Sequence, residues 1–174
     1  EVAVSVIAPA MLQRFGIAND TISTSFGTIN VYPGVLFGVD ATKLHTQSSP
    51  IQRYLQKTDL SVVCWNFPFT GEDENITSHK KLLLGFFFSV NVMIANCDRM
   101  RTNPPRIWLT LCNDQAARWD LSKLAMSQLF YLSNSWPFQV SDFPGYGPCR
   151  NKSSELFPVV LSVTYEFTFH GHLI

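Results

Sequence analysis

Apolar residues recur along this chain in short β-rich runs, separated by longer stretches with helical spacing. Val2–Ile7 is a β-rich run closing at Ala8-Pro9 and predicts a buried strand. Ala10–Asn19 suits a short helix, and Thr21–Asn30 carries Ser, Thr and Gly with little period. Val31–Val39 reads as a second strand broken by Pro33-Gly34, ending in the turn Asp40-Ala41-Thr42. Pro50–Gln56 gives a helical turn, and Leu60–Trp65 a third strand running straight into Asn66-Phe67-Pro68-Phe69-Thr70-Gly71.

The second half continues the alternation. His79–Asn96 has the length and apolarity of a helix buried against a sheet, whereas Arg99–Arg106, with its Asn103-Pro104-Pro105, predicts a loop. Ile107–Cys112 is the fourth strand. Trp119–Leu132 spaces Leu121, Leu124, Ala125, Gln128 and Leu129 at helical intervals. Trp136–Val140 suits a short strand, Phe143–Lys152 a Pro/Gly loop, and Val159–Phe169 a last strand. Strands alternating with helices imply an α/β sandwich with a mostly parallel sheet, whose ligands sit beyond the carboxyl ends of the strands. No internal repeat interrupts the pattern, and 174 residues suit a single domain over 1–174.

Composition narrows the functional classes. The 13 basic and 13 acidic residues cancel, which removes the simplest argument for nucleic-acid binding, an excess of Lys and Arg. Cys64, Cys97, Cys112 and Cys149 have no pair at metal or redox-dithiol spacing, so free thiols in a reducing, intracellular compartment are expected. The glycosylation triplets at Asn19, Asn75 and Asn151 follow no secretory leader and read as chance. The apolar run Leu82–Ala95 is shorter than the roughly 20 residues a bilayer requires, so a core helix and no membrane partner are expected.

Two strand ends offer candidate chemistry. Asp40 is either an Asx-turn or helix cap, or a ligand at the crevice. Asn66-Phe67-Pro68-Phe69 is either a plain turn or a rigid shelf, where the amide hydrogen-bonds a planar base and a ring stacks on it. Arg99, Arg101 and Arg106 either grip phosphate or form a solvated loop. His170-Gly171-His172 invites a metal, but a solvated terminus suits it better and no metal is assigned. His45 and His79 lie near the strand-end loops, where a solvated or capping role is expected. The nucleophile elbow, phosphate loop and zincin motifs are all missing.

The segments Phe37-Gly38-Val39-Asp40-Ala41-Thr42-Lys43-Leu44 and Asn66–Gly71 resemble the large-subunit rRNA (uridine-N(3)) methyltransferases. That family has a Rossmann-like methyltransferase domain, also found fused to a ferredoxin-fold anticodon-binding domain. Leu82–Phe88, Leu109-Thr110-Leu111, Leu124-Ala125, Phe143–Tyr146 and Thr164–Phe167 agree in order and spacing, so the similarity runs from Val2 to Phe169. The resemblance implies S-adenosyl-L-methionine as cofactor, contacted by Asp40, Ala41 and Asn66, and a base-holding shelf of Asn66, Phe67, Pro68 and Phe69. It further implies rRNA as substrate, toward which Arg99, Arg101, Arg106 and Tyr146 are the candidate contacts. Ribosome-assembly proteins are then expected partners, in the nucleolus, nucleus or cytoplasm.

Three departures qualify this. The family opens with a strand and a Gly-rich loop that cradles the cofactor, and Glu1 falls at the second strand of that scheme, so a sheet lacking its first strand is expected. Ala8-Pro9-Ala10 stands where an acid holds the ribose, and Phe69 where the family has His. Either a fragment of an active methyltransferase or an inactive copy acting as an RNA-associated or protein-interaction module accounts for them.

Overall fold

The computed structural model describes residues 20–24, 27–31, 40–46, 60–72, 74–142, 159 and 161–171. The strand expected at Val2–Ile7, the helix at Ala10–Asn19, the turn at Pro50–Gln56 and the loop at Phe143–Lys152, with Tyr146 and Cys149, lie outside them.

Asp20–Thr24 (β1) and Gly27–Val31 (β2) pair antiparallel as a hairpin, so the stretch that reads as aperiodic is two strands. Its Thr and Ile residues favour extended backbone once each strand has a partner. A 3-10 turn follows at Ala41–Lys43.

The main sheet holds Val62–Asn66 (β3), Arg106–Cys112 (β4), Phe130–Pro137 (β5) and Ser162–Phe169 (β6), in the order β3-β4-β6-β5. β3 and β4 are parallel, while β6 runs antiparallel to both β4 and β5. The fold is therefore α/β, but the sheet is mixed: one pairing is parallel and two are antiparallel. β3, β4 and β5 still point the same way, with β6 inserted in reverse.

Helix α1 (Ile76–Asn96) begins where the Asn75 side chain accepts a hydrogen bond from the Ser78 amide at 3.0 Å. That role fits Asn75 as a helix cap. Leu83, Phe86, Phe87, Val90, Met93 and Ile94 of α1 are buried against Trp65, Ile107, Leu109 and Phe167 of the sheet. Phe87 meets the Phe167 and Phe130 rings at 5.2 and 5.7 Å. Each such aromatic contributes about 1.5–3 kcal/mol by leaving water. No helix among the described residues is long and apolar enough to cross a membrane.

Three expected boundaries shift. Within the expected loop Arg99–Arg106, Asp98–Thr102 forms a helical turn (α2), held by the Arg101–Asp98 ion pair and buried Met100, so only Asn103–Pro105 connect it to β4. The expected helix Trp119–Leu132 is instead Gln115–Arg118 (α3) and Leu121–Met126 (α4), followed by β5 from Phe130. Leu129 takes a left-handed φ of 66°, which ends the helical path, and its carbonyl accepts from the His170 amide at 2.9 Å. The short strand expected at Trp136–Val140 is the end of this longer β5, and Val140 opens a 3-10 turn over Val140–Asp142.

Candidate base-binding site

The two faces of the main sheet differ in chemistry. Direct partners in a ladder share a face, so Trp65, Leu109 and Tyr165 share the face turned to α1. The opposite face carries Cys64, Asn66, Trp108, Thr110, Cys112, Ser162, Thr164 and Glu166. Polar atoms on this buried face must satisfy one another. Trp108 donates to Glu166 at 2.7 Å, and Cys112 meets Ser162 at 3.2 Å.

Asn66 is the last residue of β3, at the carboxyl end of the parallel pair. Thr110 donates its hydroxyl hydrogen to Asn66 Oδ1 at 2.7 Å, and Thr110 in turn lies 2.9 Å from the Thr164 hydroxyl. The Cys64 thiol approaches the same Asn66 oxygen at 3.7 Å. Burial pushes that thiol up to about 11, so it stays protonated at neutral pH.

The chain then turns sharply. Phe67 has φ 54°, a left-handed conformation that costs a side-chain-bearing residue roughly 1 kcal/mol or more. Its amide donates to the Thr110 carbonyl at 2.9 Å, and its ring sits edge-on to Phe138, with centroids 5.2 Å apart. Phe69 packs on His79 at 5.0 Å. His79 is fully buried, so of the solvated or capping roles expected for it the solvated one does not hold. Its Nδ1 lies 2.9 Å from the Asn75 carbonyl and must donate to it, which leaves Nε2 to accept from the Thr70 amide at 3.4 Å and hydroxyl at 3.2 Å. The loop after Asn66 is thus pinned to the start of α1. A lone histidine four residues into a helix gives no sequence signal for this role.

Asp40 caps the 3-10 turn. Its Oδ1 accepts from the Thr42 amide at 2.9 Å and hydroxyl at 2.7 Å, and its Oδ2 lies 3.3 Å from Lys43 Nζ. Partial desolvation raises its carboxyl, but the Thr42 and Lys43 interactions outweigh this and leave it below the ordinary value. The capping role weighed for Asp40 is therefore present, and the carboxylate stays exposed, with lone pairs left for a ligand. Ala41 is buried. The turn rests on the middle of α1: the Thr42 side chain occupies the space beside Gly85, where an added Cβ would come within 3.2 Å of it. His45 likewise meets Ser89 at 3.0 Å and Phe88 edge-on.

The arginines lie elsewhere. Arg106 opens β4, four residues and about 13 Å of strand before Thr110, and pairs with Glu166 at 3.3 Å. Arg99 and Arg101 sit on α2, which precedes that same end. The structure therefore brings Asn66, Phe67, Thr110 and Thr164 together and places these arginines toward the other end of the sheet. Cys64, Cys97 and Cys112 are free thiols. No group of His, Cys, Asp and Glu suited to a metal occurs among the described residues.

Comparison with known proteins gives one family. The model of the BMT5-like family, described as rRNA (uridine-N3-)-methyltransferase BTM5-like, matches residues 23–150. An uncharacterized protein of Arabidopsis thaliana is 29% identical over 138 residues, covering 72% of this chain and 62% of the relative. The chain thus spans less than two thirds of that relative's length. No solved structure matches.

Proposed function

This chain belongs to the BMT5-like rRNA (uridine-N3-)-methyltransferase family, and from that premise we propose that it methylates a uridine ring nitrogen of large-subunit rRNA with S-adenosyl-L-methionine. The observation that carries the reading is the placement of Asn66 at the carboxyl end of the parallel pair, followed by Phe67 turned back in a left-handed conformation.

The donor set fits the cofactor and base. Asp40 keeps an exposed carboxylate suited to an amino group or hydroxyl of an adenosine, with Ala41 beside it. Asn66 offers a half-buried carboxamide. The bound cofactor supplies an electrophilic methyl group on a sulfonium sulfur. What the protein must add is alignment of the base and exclusion of water. Asn66 orients the base edge, Phe67 and Phe69 wall the shelf, and Pro68 stiffens it. The pinning of Thr70 by buried His79 keeps the shelf in place between turnovers.

The test is transfer of labelled methyl from S-adenosyl-L-methionine to large-subunit rRNA by the full-length protein. Asn66→Ala should lower the rate about 100-fold, as loss of one positioned hydrogen-bonding group does elsewhere. Asp40→Ala should weaken cofactor binding. An unaltered rate in both variants contradicts these assignments, and a full-length protein that fails to bind the cofactor favours an RNA-associated, non-enzymatic role.

A further inference from the structure

We propose that Thr110 and Thr164 are positioning residues that fix the polarity of Asn66, so that its amide N–H, and not its carbonyl, faces the base and selects a uracil carbonyl over an exocyclic amine. The inference rests on the reading of Asn66 as the base-holding residue and adds to it the direction of its hydrogen bond.

Asn66, Thr110 and Thr164 are direct ladder partners on three neighbouring strands, and so form one row on one face. The Thr110 hydroxyl has a single hydrogen, and it goes to Asn66 Oδ1. Thr110 can therefore only accept from Thr164, whose hydroxyl must donate. Both threonines are buried, Thr110 at 0% and Thr164 at 4% exposure, so water does not compete for these hydrogens. The Cys64 thiol is a second donor aimed at the same oxygen.

Rotating the carboxamide by half a turn would make its NH2 donate to the Thr110 oxygen, so that Thr110 donates to Thr164 and the buried Thr164 hydroxyl hydrogen has no acceptor among the described residues. In a buried site each unsatisfied group costs about 1–3 kcal/mol. The oxygen arm of Asn66 is thereby committed inward. The two amide hydrogens on the other arm have no partner among the described residues and are the groups left for a ligand.

A donor is what uridine chemistry requires. The uracil imide presents carbonyl oxygens on both sides of N3. Loss of the N3 proton to solvent or a base spreads negative charge onto those oxygens, and an N–H donor holds that charge until N3 takes the methyl. An adenine or cytosine exocyclic amine would instead call for an acceptor. The row thus acts as a filter for the substrate class as well as a support.

The experiment uses the full-length protein in single-turnover methyl transfer, with RNA and cofactor affinities measured in parallel. Thr110→Val keeps the shape and removes the donor; it should lower the transfer rate about 10- to 100-fold, with both affinities within about threefold of wild type. Thr110→Ser restores the hydroxyl and should recover the rate, which a merely structural role for the threonine methyl would not allow. Asn66→Asp replaces the donor arm by an acceptor and should be as slow as Asn66→Ala. Should Thr110→Val fail to fold, Thr164→Val and Asn66→Asp carry the test. A wild-type rate in Thr110→Val or Thr164→Val, or an active Asn66→Asp, overturns the inference. If Asn66→Ala is itself fully active, the base-holding reading fails, and the polarity inference falls with it.

Discussion

The imidazole of His79 lies flat on the indole of Trp119, with ring centroids 4.3 Å apart and planes 11° apart. This contact joins the start of α1 to the turn between α3 and α4, and the same imidazole holds the loop after Asn66 through Thr70. Both rings are fully buried, and Trp119 Nε1 has no hydrogen-bond partner among the described residues.

His79→Phe keeps the aromatic contact but leaves the Thr70 amide without its acceptor, while the Asn75 carbonyl keeps the backbone N–H of residue 79. It should destabilise the protein by about 1–3 kcal/mol, read as a lower thermal midpoint. Substrate affinity should fall more than cofactor affinity, because the pinned loop is the proposed base shelf. Equal losses in both would mean that His79 supports the fold alone.

Asp40→Ala removes a cap and should cost about 1 kcal/mol, while Asp40→Asn keeps the accepting oxygen and should recover most of it. The folded carboxyl lies below its ordinary value, so its ionised form stabilises the protein above the unfolded-state pKa. That contribution is lost as pH falls through the folded value. Denaturant titrations should accordingly show the gap between wild type and Asp40→Asn narrowing under acid, and a gap constant with pH would contradict the capping account.

Cys64 should resist alkylation in the native state at pH 8, since its thiol is pushed up to about 11 by burial. Cys112 is raised as well, by burial that outweighs its contact with Ser162. Peptide mapping after a brief iodoacetamide pulse should find Cys97 modified ahead of both. Rapid native labelling of Cys64 would show that its pocket opens to solvent.

Glu166→Ala should cost about 1–3 kcal/mol by leaving the Trp108 indole N–H without its acceptor. Chemical denaturation reads this directly. The arginine partner, Arg106, is more exposed, and Arg106→Ala should change stability by under about 1 kcal/mol.

What the sequence made legible follows from how each signal is encoded. Leu82–Ala95 reads as a core helix because its apolarity is continuous, and that helix is present with its start at Ile76. β4 reads as a strand because both of its faces are buried. β5 does not, because it is an edge strand whose residues after Phe130 are mostly exposed, so its identity comes from pairing with β6. The hairpin of β1 and β2 is hidden because its Thr, Ser and Gly residues show little period, so its identity too comes from pairing. Asn66 was visible as a strand-end amide. Its link to Thr110 and Thr164 was not, because the register joins residues 44 and 54 positions apart. The role of His79 depends on a loop folding back onto the helix, which no local pattern announces.

The central claim is tested most directly by nucleoside mass spectrometry of large-subunit rRNA after incubation with the full-length protein and S-adenosyl-L-methionine. The expected result is new N3-methyluridine, lost when Asn66 is replaced by Ala. No N3-methyluridine from a cofactor-bound wild-type protein, or the same yield from Asn66→Ala, would contradict the account.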